Sequence, residues 1–120
     1  MATVALNRES FGTTIENNDV VLVDFWAAWC GPCRMFGPTF EAASEQYPDV
    51  VFAKVDTDDQ RELAGALEIQ SIPTIMAFRG GYLVFREAGA LNKSQLESVI
   101  DQVKALDVEE LKAHAAAAGQ

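Results

Sequence analysis

The sequence is poor in cysteine, histidine and basic residues, and each shortage excludes a class of protein. Among 120 residues there are two cysteines and one histidine. Two cysteines cannot staple a chain of this length, and a four-cysteine zinc site is arithmetically excluded. Nine Lys plus Arg face 18 Asp plus Glu, a formal net charge of −9. Such a surface repels DNA, RNA and anionic lipid, so neither nucleic acid nor membrane is expected as a partner. No run approaches the ~20 apolar residues that span a bilayer, and residues 1–10 lack a basic patch followed by a long apolar stretch. A soluble, unsecreted, cytoplasmic chain is expected. What the sequence does have is a composition of 49% hydrophobic and 22% charged residues, enough to bury the core of one ordinary globular domain.

Residues 20–26, VVLVDFW, form a near-continuous apolar and β-branched run, the pattern of a central strand covered on both faces. Residues 50–55 and 74–78 are further runs of this kind, too far apart for tight hairpins. Arg79-Gly80-Gly81 then leads into 82–85, a hairpin signal, so a mixed sheet is expected. Phe36, Phe40, Ala43 and Tyr47 share one face of a helix over about 33–47, with Pro38 inside it as a predicted kink. A shorter helix over 60–67 buries Leu63 and Leu67. Another carries Leu96, Val99, Ile100 and Val103, with Asn92 as N-cap and Gln95 in the capping-box position. Phe11 and Ile15 suggest a short helix after an edge strand at 3–6. The order β-α-β-α-β-α-β-β-α describes an α/β domain with helices on both faces of a central mixed sheet. Beyond it, Asp107 with Glu110, and Val108, Leu111 and Ala115 at helical spacing, fit either a short extra helix or a frayed alanine-rich tail.

Both cysteines lie in Trp29-Cys30-Gly31-Pro32-Cys33, where the central strand gives way to the proline-containing helix. The carboxyl end of a strand facing a helix N-terminus is where such folds place their chemistry. The two-residue spacing puts both sulfurs in the first helical turn, close enough to bridge. Unpaired N–H groups and the positive end of the helix dipole favour an anion there and so raise the thiolate fraction. Cys30 at the helix mouth is the natural nucleophile, and Cys33, one turn deeper, the resolving thiol. Half a zinc site is the competing reading, but it needs two more ligands, and the only histidine, His114, is stranded in the tail. An inert pair of core cysteines is the other, and the Gly31-Pro32 insert with flanking tryptophans argues against it.

Asp24 interrupts the apolar strand six residues before Cys30. Buried without a partner, its carboxyl would be driven upward in pKa and suit a proton acceptor near neutral pH; the alternative is a strand-end aspartate facing water. Taken alone, Lys54 reads as a snorkelling surface lysine and the Ile72–Pro73 bond as trans. Trp26 reads as structural.

Five separated segments together resemble the thioredoxin family: VDFWAAWCGPCR at 23–34, Pro38, Lys54-Val55-Asp56, Ile72-Pro73-Thr74 and Gly89-Ala90-Leu91, covering nearly all of positions 3–107. The resemblance implies a thioredoxin domain over 1–107 with a C-terminal extension over 108–120. It further implies that Asp24 is the buried proton acceptor for Cys33, with Lys54 as its neighbour, and that the Ile72–Pro73 bond is cis. Gly31, Pro32 and Pro73 then shape the site, and Trp29, Ile72, Gly89 and Ala90 form the rim that docks clients, the Ile72 backbone pairing with a bound peptide.

The activity so implied is that of a general protein-disulfide reductase, monomeric, with no bound metal or cofactor. Its clients carry disulfides, and its electrons come from NADPH through a flavin-containing thioredoxin reductase. Two other readings stand beside it: a disulfide oxidase or isomerase, and a redox-gated binding module. The chain departs from the family pattern at Ser71, where glycine is common, at Arg34 in place of lysine, and at Ala28 in place of an acid. With Ala28 and Arg34 flanking the cysteines, the chain's acidity is expected to lie away from Cys30.

Overall fold

Alternation of the side chains along the strands builds two apolar layers, one on each face of a five-stranded sheet. A computed structural model describes residues 2–117. Its elements are β1 (Thr3–Ala5), α1 (Arg8–Asn17), β2 (Val20–Trp26), α2 (Gly31–Gln46), β3 (Val51–Asp56), α3 (Arg61–Ala66), β4 (Thr74–Arg79), β5 (Tyr82–Ala88), α4 (Lys93–Ala105) and α5 (Val108–Ala117). Val20, Leu22, Phe52, Ile75 and Ala77 face Phe36, Phe40 and Ala43 of α2 and Leu96, Ile100 and Val103 of α4. The residues between them, Val21, Val23, Phe25, Ala53, Val55, Met76 and Phe78, face Phe11 and Ile15 of α1 and Leu63 of α3. The expected mixed sheet with helices on both faces is therefore the observed one.

The strand order is β1-β3-β2-β4-β5, with β2 in the middle. β3 runs parallel to β2 and β4 antiparallel to it, in the register Trp26↔Asp56 and Phe25↔Thr74. β5 returns antiparallel to β4, pairing Thr74 with Ala88. One end of the sheet thus gathers the last residues of β2, β3 and β5 and the first of β4. The N-terminus of α2 opens onto that end.

Local chemistry sets the element ends. The Asn92–Gln95 capping box is present at α4, and α1 has one of its own between Asn7 and Ser10. α2 begins two residues earlier than expected and runs through Pro38, which leaves the Arg34 carbonyl without its intrahelical donor. Gly80 and Gly81 both have positive φ, 57° and 87°, as a two-residue hairpin turn between Arg79 and Tyr82 demands. α3 closes in a Schellman arrangement, Ile69 N–H to the Ala64 carbonyl and Glu68 N–H to Gly65, which puts the non-glycine Glu68 at φ 56°. Arg86 of β5 covers that end by donating to the Leu67 and Glu68 carbonyls.

The ambiguous tail is a helix as far as Ala117; residues 118–120 lie outside the described residues. Asp107 caps it by accepting from the Glu109 N–H at 2.8 Å, one residue earlier than a Glu110 capping box would have it. Val108, Leu111 and Ala115 are half-buried on one face. Val108 sits against the β4–β5 turn, where a Cβ on Gly80 would meet its Cγ1 at 2.9 Å.

Candidate active site

Cys30 is the N-cap of α2 and Cys33 lies in its first turn, and the two are joined as a disulfide with Cα atoms 5.2 Å apart. Gly31 and Pro32 are the first two residues of the helix. Proline's fixed φ suits that position, where its missing N–H is no loss. A Cβ on Gly31 would meet nothing within 4 Å, so no packing demands glycine there.

The Cys33 N–H donates to Cys30 Sγ at 3.2 Å, and the Ile72 carbonyl lies 3.7 Å from the same sulfur. The cysteines are equally buried, each 4% exposed, so accessibility does not distinguish them. The hydrogen bond does. A donor aimed at Cys30 Sγ from the helix N-terminus stabilises a thiolate there once the disulfide opens. Ala27, Trp26 and Ile72 pack around the pair. The Ile72–Pro73 bond is cis, as the family resemblance implied and local sequence preference did not. Gly89, at φ 109°, donates its N–H to the Pro73 carbonyl at 2.8 Å, which brings Gly89 and Ala90 alongside Pro73.

Asp24 is fully buried, and neither carboxylate oxygen has a hydrogen-bond partner. Burial lifts its pKa from 3.8 to about 7, with Lys54 opposing the rise. Asp24 and Lys54 are register partners on β2 and β3. They share the sheet face covered by α2, since Leu22 and Phe52 two residues before them pack under that helix. Lys54 is half-buried, with its Nζ 4.9 Å from the centroid of the Trp26 ring. Lys54 thus stands as the neighbour of Asp24 that the family resemblance implied. Trp26 packs against the disulfide on one side and carries the lysine on another.

Trp29 is 69% exposed, and its indole N–H donates to Asp58 Oδ2 at 2.9 Å. One acidic side chain, Asp58, therefore lies against the tryptophan that precedes Cys30. Parallel pairing of β3 with β2 places the run that follows Asp56 level with Trp26 and therefore beside the cysteines. Asp56 Oδ1 accepts from the N–H groups of Asp58 and Asp59, a turn that presents Asp58 to the indole. Asp58 carried no signal in the sequence, because only the strand register brings it there. Trp26 did carry one, lying two residues beyond Asp24 on the same face.

His114 is exposed on α5. Among the described residues no group of three or more His, Cys, Asp or Glu is placed to hold a metal ion, and no helix is long and apolar enough to cross a membrane.

The sequence model of the thioredoxin family matches residues 2–102. The chain is 50% identical over 111 residues to a putative thioredoxin 2 of Streptomyces coelicolor, covering 92% of this chain and 83% of that one. It is 43% identical over 104 residues to the thioredoxin of Porphyra purpurea, covering 85% and 97%. Among solved structures, a mutant thioredoxin from Halobacterium salinarum superposes with a TM-score of 0.80 at 33% identity, over 88% of this chain and 92% of that one. A cysteine pair poised at a helix N-terminus, in a fold and sequence shared this widely, leaves one assignment: the chain belongs to the thioredoxin family, protein-disulfide reductases that cycle a cysteine pair between dithiol and disulfide while acting on disulfide-bearing clients.

Proposed function

We propose that Cys30 is the attacking thiolate and Cys33 the resolving thiol, with Asp24 taking the proton from Cys33. The observation that carries the assignment is the Cys33 N–H donated to Cys30 Sγ. In the dithiol state the Cys30 thiolate attacks one sulfur of a client disulfide, forming a mixed disulfide and releasing the other client sulfur as a thiolate. Cys33 then loses its proton to the Asp24 carboxylate and attacks Cys30 Sγ, releasing the second client thiolate. Two electrons pass to the client, which leaves as two thiolates, while the Cys33 proton rests on Asp24 and the Cys30–Cys33 disulfide remains. An acceptor with a pKa of about 7 is half ionised near neutrality, so it can take a proton and give it up in the same cycle. Lys54, opposite Asp24, limits how far that pKa rises.

Pro32 and Pro73 shape the site, with Gly31 leaving open space above the disulfide. Trp29, Ile72, Gly89 and Ala90 form the apolar rim that receives the client, and the Ile72 backbone pairs with its main chain. The chemistry needs no bound cofactor. A flavin-containing thioredoxin reductase supplies electrons from NADPH, the chain works as a cytoplasmic monomer, and residues 108–120 extend a thioredoxin domain of 1–107.

Insulin reduction driven by NADPH and a thioredoxin reductase tests this reading. Cys33→Ser should accumulate covalent client complexes visible on non-reducing gels, and Cys30→Ser should be inactive. Complexes trapped by Cys30→Ser instead would reverse the two roles.

A further inference from the structure

We infer that the depression formed by Met35, Phe36, Thr39, Ala90, Leu91 and Asn92 is a second client subsite, which takes one apolar side chain of the client polypeptide near its disulfide. The inference rests on the reading that the rim through Ala90 receives clients, and Ala90 is common to rim and depression. Met35, two residues after Cys33 on α2, is 78% exposed, more than Trp29. A single exposed methionine is unremarkable by itself. Here it forms one wall of a hollow of about 310 Å³. That is the lower end of the ~300–1,000 Å³ range of small-molecule sites and suits a single large side chain better than a cofactor.

The lining selects the occupant. Phe36, the floor, is a residue of α2 buried in the core beneath it. Asn92 is committed as the cap of α4, its side chain accepting from the Gln95 N–H at 2.8 Å, so it does not turn into the hollow. None of the six residues is charged, in a chain with 18 acidic and nine basic residues. A charged client group entering here would lose water without gaining a counter-charge, whereas an apolar side chain gains from burial. Methionine as the wall suits this use, because its unbranched, polarisable side chain adapts to differently shaped partners. The mixed disulfide holds the client against α2, so even a shallow contact beside it acts at high effective concentration.

The test compares insulin with bis(2-hydroxyethyl) disulfide, which has no apolar side chain to place in the hollow. Met35→Ser should raise KM for insulin by about three- to tenfold at unchanged kcat, as expected for losing part of one apolar burial. It should leave the rate on the small disulfide unchanged, and Met35→Leu should restore the parent KM. Trp29→Ala serves as the control for the rim. If Trp29→Ala raises KM for insulin and Met35→Ser does not, the subsite is refuted and the rim stands. If neither does, the rim reading fails as well. An equal loss on both substrates in Met35→Ser would also overturn the subsite, because Met35 would then be acting through the cysteines or the fold.

Discussion

Replacing Asp24 should make the protein more stable, by an amount that grows from about pH 4 to neutrality and then holds. Its carboxyl is fully buried with both oxygens unpartnered, and its pKa is raised from 3.8 to about 7. Between those values the unfolded chain has released the proton while the folded chain keeps it. Stability therefore falls as pH rises through this window and levels off above it. At 1.36 kcal/mol for each pH step, the carboxylate costs about 4 kcal/mol at pH 8 and almost nothing at pH 4. Asp24→Ala removes that cost but leaves a small void, so the expected net gain at pH 8 is about 2–4 kcal/mol. At pH 4 the two proteins should agree within about 1 kcal/mol. Guanidinium unfolding of the disulfide forms at pH 4, 6 and 8 measures the difference directly, and subtracting variant from parent removes every other titrating group. A gain of equal size at all three pH values would refute the reasoning, since a packing effect does not titrate. So would the absence of any gain at pH 8.

Two further changes probe the backbone. Glu68→Gly should raise stability by about 1 kcal/mol, because Glu68 holds φ 56° at the C-terminus of α3 where glycine pays little; a fall in Tm would contradict this. Gly80→Ala and Gly81→Ala both place a side chain at positive φ, but only Gly80 faces Val108. Both should cost about 1 kcal/mol or more, while faster amide exchange across α5 is expected for Gly80→Ala alone; equal exchange in the two variants would show that α5 does not rest on the turn.

Most of the fold was legible because its strands are unusually apolar. The run at 20–26 announces a central strand, and the Asn92–Gln95 pair marks the start of α4 at the right residue. What the sequence hides is direction and register. Nothing local states that β3 runs parallel to β2 while β4 runs against it, yet those choices carry Asp58 to Trp29 and bring the Ile72–Pro73 segment to the disulfide. The cis bond was likewise invisible to local preference, and it was reached only through the resemblance. Asp24 stood out as a carboxylate in an apolar strand, whereas Lys54 did not, because lysine in a strand is ambiguous until its neighbour is known. The tail stayed undecided for a physical reason: α5 buries none of its residues completely, so its sequence has no strong apolar stripe to read.

The outer edges of the sheet have a consequence for crowding. A protein that acts on disulfide-bearing polypeptides meets extended chains that could add a strand to its sheet. β1 is only three residues long, and β5 carries Arg86 and Glu87 and is paired to β4 through a bulge at Ala77/Phe78. Short, charged and irregular edges are poor templates for an added strand. A passing chain is turned away from the periphery, so encounters that last are those at the end of the sheet where the disulfide lies.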